Sequence, residues 1–204
     1  MAISVYVFKE ANYYRNLYNI IEETRGKKVI IINTNKPADM ILNDMKKENV
    51  KIQNIFFIDT ISKYLGKPDT NQDNIVYIDD PANLTEIGIV VKLSVEKIKG
   101  EKMLIFDSLT TLSLYNSSRN LVRFYNFFFQ LSRLNQIDTI VIALESDIDK
   151  EILNNISGLV DEVKTYATKD ENICIISTMK EIMRIINILF TICFYLINQS
   201  VYVV

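Results

Sequence analysis

Short apolar runs alternate along the chain with longer stretches whose apolar residues recur at helical spacing, the pattern of a parallel sheet joined by crossover helices. Ile3–Phe8 predicts a first strand. Residues 11–24 predict a helix, with Tyr14, Leu17, Tyr18 and Ile21 at i, i+3, i+4 and i+7 on one face. Lys28–Asn33 predicts a second strand, and residues 37–48 a second helix with Pro37 near its first turn. Further strands are expected at 54–59, 75–79, 103–106, 139–144 and 173–177, with 162–166 as an edge strand. Helices are expected at about 81–99, at Ser118–Leu134 and at 150–156. A polar loop spans 66–74, and Gly100 is read as a helix-ending glycine.

Four of these strands end on a carboxylate: Asp59, the pair Asp79 and Asp80, Asp107, and Glu145. Ligands of an open parallel sheet bind at the carboxyl ends of its strands, so acidic residues gathered there repel one another unless a cation or a basic partner sits among them. A divalent-cation site is one reading. Capping of the following helix or turn is the other. Both stay open for Asp107, whose surroundings, Met103 to Tyr115, are the most informative stretch: an apolar run, one carboxylate, then small polar residues leading into a helical pattern.

Composition narrows the chemistry. The 204 residues suit one α/β domain with an ample core, or one domain plus a short appendage. A net charge of −2 argues against a nucleic-acid binder working mainly through phosphate contacts. The chain has no histidine, which excludes imidazole general-base catalysis and His-ligated metal. Cys174 and Cys193 are too few for a zinc motif and fit buried thiols in a reducing compartment. Lys9 and Glu10 cut off the first apolar run at strand length, so no signal peptide is expected and a cytoplasmic location is.

Asp107-Ser108-Leu109-Thr110-Thr111-Leu112, taken with Asp80-Pro81-Ala82-Asn83-Leu84-Thr85-Glu86-Ile87 and with Lys27-Lys28-Val29 leading to Asn35-Lys36-Pro37, resembles the RecA/KaiC-like ATPase superfamily. The resemblance runs over roughly residues 3 to 167 and is closest to a small stand-alone archaeal branch implicated in signal transduction. It implies an α/β fold of the P-loop NTPase type, a mostly parallel sheet with helices on both faces, over residues 1–178. An apolar C-terminal segment, 179–204, follows. Asp107 falls at the Walker B carboxylate, which implies a magnesium-side role for it, with Ser108 beside it. The phosphate-loop position falls on Lys9-Glu10-Ala11-Asn12-Tyr13-Tyr14-Arg15. No Gly-x-x-x-x-Gly-Lys-Ser/Thr occurs anywhere in the chain, and bulky tyrosines stand where backbone N–H groups would have to wrap phosphate. No cofactor is therefore expected, with ATP and magnesium as the alternative.

Within 118–134, Phe124, Tyr125, Phe127, Phe128 and Phe129 spread apolar surface over most of a helix, which fits deep burial or a subunit interface. Residues 185–204 carry no charge and follow Lys180 and Arg184, so this segment fits either a packed terminal helix or a membrane anchor. Three functions follow: a non-catalytic module acting through a protein partner or its own oligomer, an ATP- and magnesium-binding ATPase or sensor with an atypical phosphate site, and a membrane-tethered scaffold.

Overall fold

The computed structural model describes residues 1–9, 12–24, 26–67 and 72–166. Its elements are β1 (Ile3–Phe8), α1 (Tyr13–Glu23), β2 (Lys28–Asn33), α2 (Ala38–Lys47), β3 (Ile55–Asp59), β4 (Ile75–Tyr77), α3 (Leu84–Lys97), β5 (Lys102–Asp107), α4 (Leu109–Leu112), α5 (Ser118–Leu134), β6 (Asp138–Leu144), α6 (Lys150–Ser157) and β7 (Glu162–Thr165). The strands form one seven-stranded sheet in the order β4-β3-β2-β5-β6-β1-β7, every pairing parallel.

Handedness then sorts the helices. A crossover between parallel strands is right-handed, so connections running one way across the sheet lie on one face and those running back lie on the other. The steps β1→β2 and β2→β3 run toward β4, and α1 and α2 pack on the face holding Val29, Ile31, Phe57 and Ile105. The steps into β5, β6 and β7 run back, and α3, α5 and α6 cover the face holding Ile30, Ile32, Leu104 and Phe106. Strand β2 is buried on both faces, which is why it reads as an unbroken apolar run. At β2 and β5 the following helices leave to opposite faces, which opens a crevice at the carboxyl ends of these two neighbours.

Several predicted bounds shift for local reasons. Helix α3 starts at Leu84 rather than Pro81, because Asn83 is its N-cap and its side chain accepts the Glu86 N–H. That helix ends at Lys97, and Gly100, at φ +91°, makes the left-handed turn into β5 rather than capping the helix. Strand β4 stops at Tyr77, and β7 is the edge strand expected at 162–166. The described strands and helices form one compact unit, Met1–Tyr166. The strand expected at 173–177, both cysteines and the apolar segment 185–204 lie outside the described residues. Among the described residues no helix is long and apolar enough to cross a membrane.

Candidate functional site

Three polar residues stand in register at the carboxyl edge. Asn33 of β2 pairs with Asp59 of β3 on one side and with Asp107 of β5 on the other. Their odd-numbered neighbours Ile31, Phe57 and Ile105 point to the α1/α2 face, so these three side chains do as well. All three are fully buried. The N-terminal ends of α1 and α2 therefore meet this row.

Asp59 is held on every side. Its Oδ2 accepts the Ala38 N–H at 2.7 Å, at the start of α2, and the Ser62 hydroxyl at 2.8 Å. Its Oδ1 accepts the N–H groups of Ile61 and Ser62, both at 2.9 Å. One carboxylate thus closes the turn after β3 and supplies the side-chain acceptor that Pro37, at the N-cap position of α2, lacks.

Asp107 differs. Its Oδ1 accepts the Tyr13 hydroxyl, from the first residue of α1, while Oδ2 is buried with no hydrogen-bond partner. Burial pushes the Asp107 carboxyl up to about 6, and the Tyr13 hydrogen bond only partly opposes it. Burial, with the Asp107 charge added, pushes the Tyr13 hydroxyl well above its ordinary range, so it stays a neutral donor. Asn33 carries a second such atom. Its amide N–H donates to the Lys36 carbonyl at 2.8 Å, but its Oδ1 is buried and unpartnered.

The cap on α4 is Ser108, not Asp107. Ser108 Oγ accepts the Thr111 N–H at 3.2 Å, which corrects the capping reading of Asp107. The peptide bond between Asp107 and Ser108 is cis. Thr34, absent from the sequence candidates, ties this segment to β2. Its N–H donates to the Asp107 carbonyl at 2.6 Å, and its hydroxyl accepts the Ser108 N–H at 2.9 Å. Its only sequence signal is that it follows the strand-end residue in register with Asp107.

The other acidic candidates do not join the row. Asp79 is exposed and pairs with Lys63 at 3.1 Å. Asp80 is exposed and its Oδ1 accepts the Ala82 N–H at 2.7 Å, a turn role. Glu145 is exposed, and its N–H extends the β1–β6 edge to the Phe8 carbonyl at 2.9 Å. Among the described residues no group of three or more His, Cys, Asp or Glu side chains is placed to hold a metal ion. Nor does the arrangement at Asp107 fit a phosphate-bound magnesium ion. One carboxylate oxygen is free, but the Tyr13 hydroxyl occupies the other, and the helix that would present backbone donors opens on Tyr13 and Tyr14.

Of the aromatic interface candidates, Phe124, Tyr125, Phe128 and Phe129 lie in this chain's own core around Phe106. They are not available to a partner. Phe127 remains 47% exposed and rests on Gly88 of α3, where a Cβ would stand 3.3 Å from its ring.

No protein-family model matches the sequence, and comparison with curated proteins finds no match. Solved structures do match. A KaiC-like protein, PH0186, of Pyrococcus horikoshii shares 12% identity at a TM-score of 0.50, over 70% of this chain and 61% of its own. The chain thus spans under two thirds of that protein's length. An uncharacterized protein of the same organism, PH0321, solved with an unknown peptide, shares 11% identity at a TM-score of 0.60, over 82% of this chain and 79% of its own. The flagellar accessory protein FlaH of Methanocaldococcus jannaschii shares 16% identity at 0.51, over 81% and 73%. With its all-parallel sheet flanked by helices on both faces, the chain shares the RecA-like α/β fold of these three archaeal structures.

Proposed function

We propose that this chain is a non-catalytic RecA/KaiC-like module that works by associating with a protein partner, in a regulatory or signalling setting. One observation carries the reading: the Tyr13 hydroxyl, from the first turn of α1, is bonded to the Walker B-like carboxylate Asp107. A side chain of the chain itself stands where a RecA-like ATPase gathers phosphate and magnesium. The sequence supports this, since none of its five glycines precedes Lys-Ser or Lys-Thr. The peptide bound to PH0321 supports a fold of this kind serving as a peptide-binding module. The buried, unpartnered Oδ2 of Asp107 favours a second reading, in which Tyr13 yields to a magnesium-bound nucleotide.

Mg-ATP separates the two. Under the first reading the purified protein turns over no ATP above background, and saturating Mg-ATP leaves the melting temperature unchanged. A ligand at 100 times its Kd would stabilise the native state by about 2.7 kcal/mol, a rise of several degrees. Such a rise, abolished by Asp107→Ala, would establish the second reading and remove the first.

A further inference from the structure

We infer that the groove between the start of α3 and the outer face of α5 is a docking site for an acidic peptide segment bearing an apolar side chain; this rests on the partner-binding reading above. The groove is a shallow depression of about 440 Å³, open to solvent, lined by Leu84 and Thr85 on one side and by Asn116, Asn120, Arg123 and Phe127 on the other. Three features agree on its occupant.

The first is charge. Helix α5 has three arginines and no acidic residue in seventeen positions, within a chain of net charge −2. Arg133 is committed to the Leu159 carbonyl at 2.7 Å. Arg119 and Arg123 are exposed, and neither forms an ion pair among the described residues. They stand four apart on one helix face, where like charges repel. Neither Asp80 nor Glu86 lines the groove; Asp80 accepts the Ala82 N–H and Glu86 the Asn83 amide at 3.0 Å.

The second is the apolar anchor. Phe127 keeps 47% of its surface exposed although its four aromatic neighbours on α5 are buried. It lies against Gly88, a helix-interior glycine that weakens α3 relative to alanine. A side chain there would crowd the ring, so the glycine leaves Phe127 room against α3. The third is polarity. Asn120 and Thr85 are both exposed beside the ring, so donors for peptide carbonyls flank the apolar spot. An aromatic anchor inside a polar, cationic rim is the anatomy of a peptide site.

The test uses the full chain and fluorescence anisotropy of a labelled peptide of alternating Glu and Phe. Comparators are a Lys–Phe and a Glu–Ser peptide. The Glu–Phe peptide is expected to bind at least about tenfold tighter than either comparator, with an affinity that falls as salt rises. Arg119→Glu with Arg123→Glu, and separately Phe127→Ala, should each weaken it by about tenfold or more at an unchanged melting temperature. Arg123→Gln gives a milder second check should the double reversal fail to fold. No binding, equal binding of the Lys–Phe peptide, or indifference to these substitutions would overturn the groove. Concentration-dependent dimerisation abolished by Phe127→Asp, without peptide binding, would overturn it in favour of a second copy of this chain. None of these results touches the non-catalytic reading, which Mg-ATP turnover or an Asp107-dependent Mg-ATP thermal shift would remove.

Discussion

Asp59 and Asp107 end the two outer strands of the same three-strand row, on either side of Asn33, both fully buried and both facing α1 and α2, yet they are treated oppositely. Asp59 accepts four hydrogen bonds, three of them from backbone N–H groups. Asp107 accepts one, from a tyrosine, and keeps one oxygen bare. A buried carboxylate with full satisfaction is a structural part; one held at a desolvation cost marks a position where something other than stability set the residue. The same strand-end sequence signal thus covers a brace and a candidate site.

The largest expected effect breaks the brace. Asp59→Ala strands three buried N–H groups and a buried hydroxyl, and should destabilise the fold by about 3–5 kcal/mol in urea denaturation. Asp107→Ala removes one acceptor and one unmet charge, and should destabilise far less. If the two alanine variants prove equally damaging, the contrast drawn between the carboxylates is wrong.

The next effect is smaller and of opposite sign. Asp107→Asn should stabilise the protein at pH 7. The Asp107 pKa is raised from 3.8 to about 6, so between these values the folded state binds more protons than the unfolded. Stability from this group is therefore highest below about pH 4, falls as pH rises toward 6, and stays at its lowest above. The span corresponds to about 3 kcal/mol at most. An amide at 107 carries no such penalty and offers a donor toward the unpartnered Asn33 Oδ1 on the paired strand position. Wild type should gain stability on acidification from pH 7 to 4.5 relative to Asp107→Asn. Parallel pH profiles for the two proteins would show that Asp107 titrates normally and is not the costly group.

Much of this frame was readable from the residues, and the limits of that reading are specific. Strand periodicity gave β1 and β2 their full extents, and each strand-end carboxylate was in view. What period and spacing do not carry is the partner. The Ala38 N–H that Asp59 caps lies 21 positions away, and the Tyr13 hydroxyl on Asp107 lies 94 positions away. In the sequence Tyr13 reads only as bulk at a place needing glycine, and the helical pattern favours Tyr14 as the inward residue. The structure buries Tyr13 and leaves Tyr14 half-exposed, with Lys36 over its ring. The aromatic run on α5 was equally visible, but only the packing of α3 and the sheet distinguishes the four rings that fill the core from Phe127.

Two tyrosine-to-phenylalanine changes sharpen the comparison further, because the same lost hydroxyl should act with opposite sign. Tyr13→Phe leaves Asp107 ionised with no donor and should cost about 1–2 kcal/mol at pH 7. It removes the hydrogen bond that holds the Asp107 pKa down, so the cost should shrink toward pH 4, where the folded carboxyl is protonated in both proteins. A cost independent of pH would mean that the Tyr13 hydroxyl does not act through the charge on Asp107.

Tyr125→Phe is the smallest effect. The Tyr125 hydroxyl is buried without a partner among Phe106, Phe124, Phe128 and Phe129, and burial pushes its pKa up. Removing an unsatisfied buried hydroxyl while keeping the ring leaves the edge-to-face contacts intact and ends a desolvation cost. Tyr125→Phe should therefore be neutral or stabilising by up to about 1 kcal/mol, with no change in its pH profile. A loss of stability comparable to that of Tyr13→Phe would show that the Tyr125 hydroxyl has a donor or acceptor in solution, and that core and strand-end row differ less than their hydrogen bonding indicates.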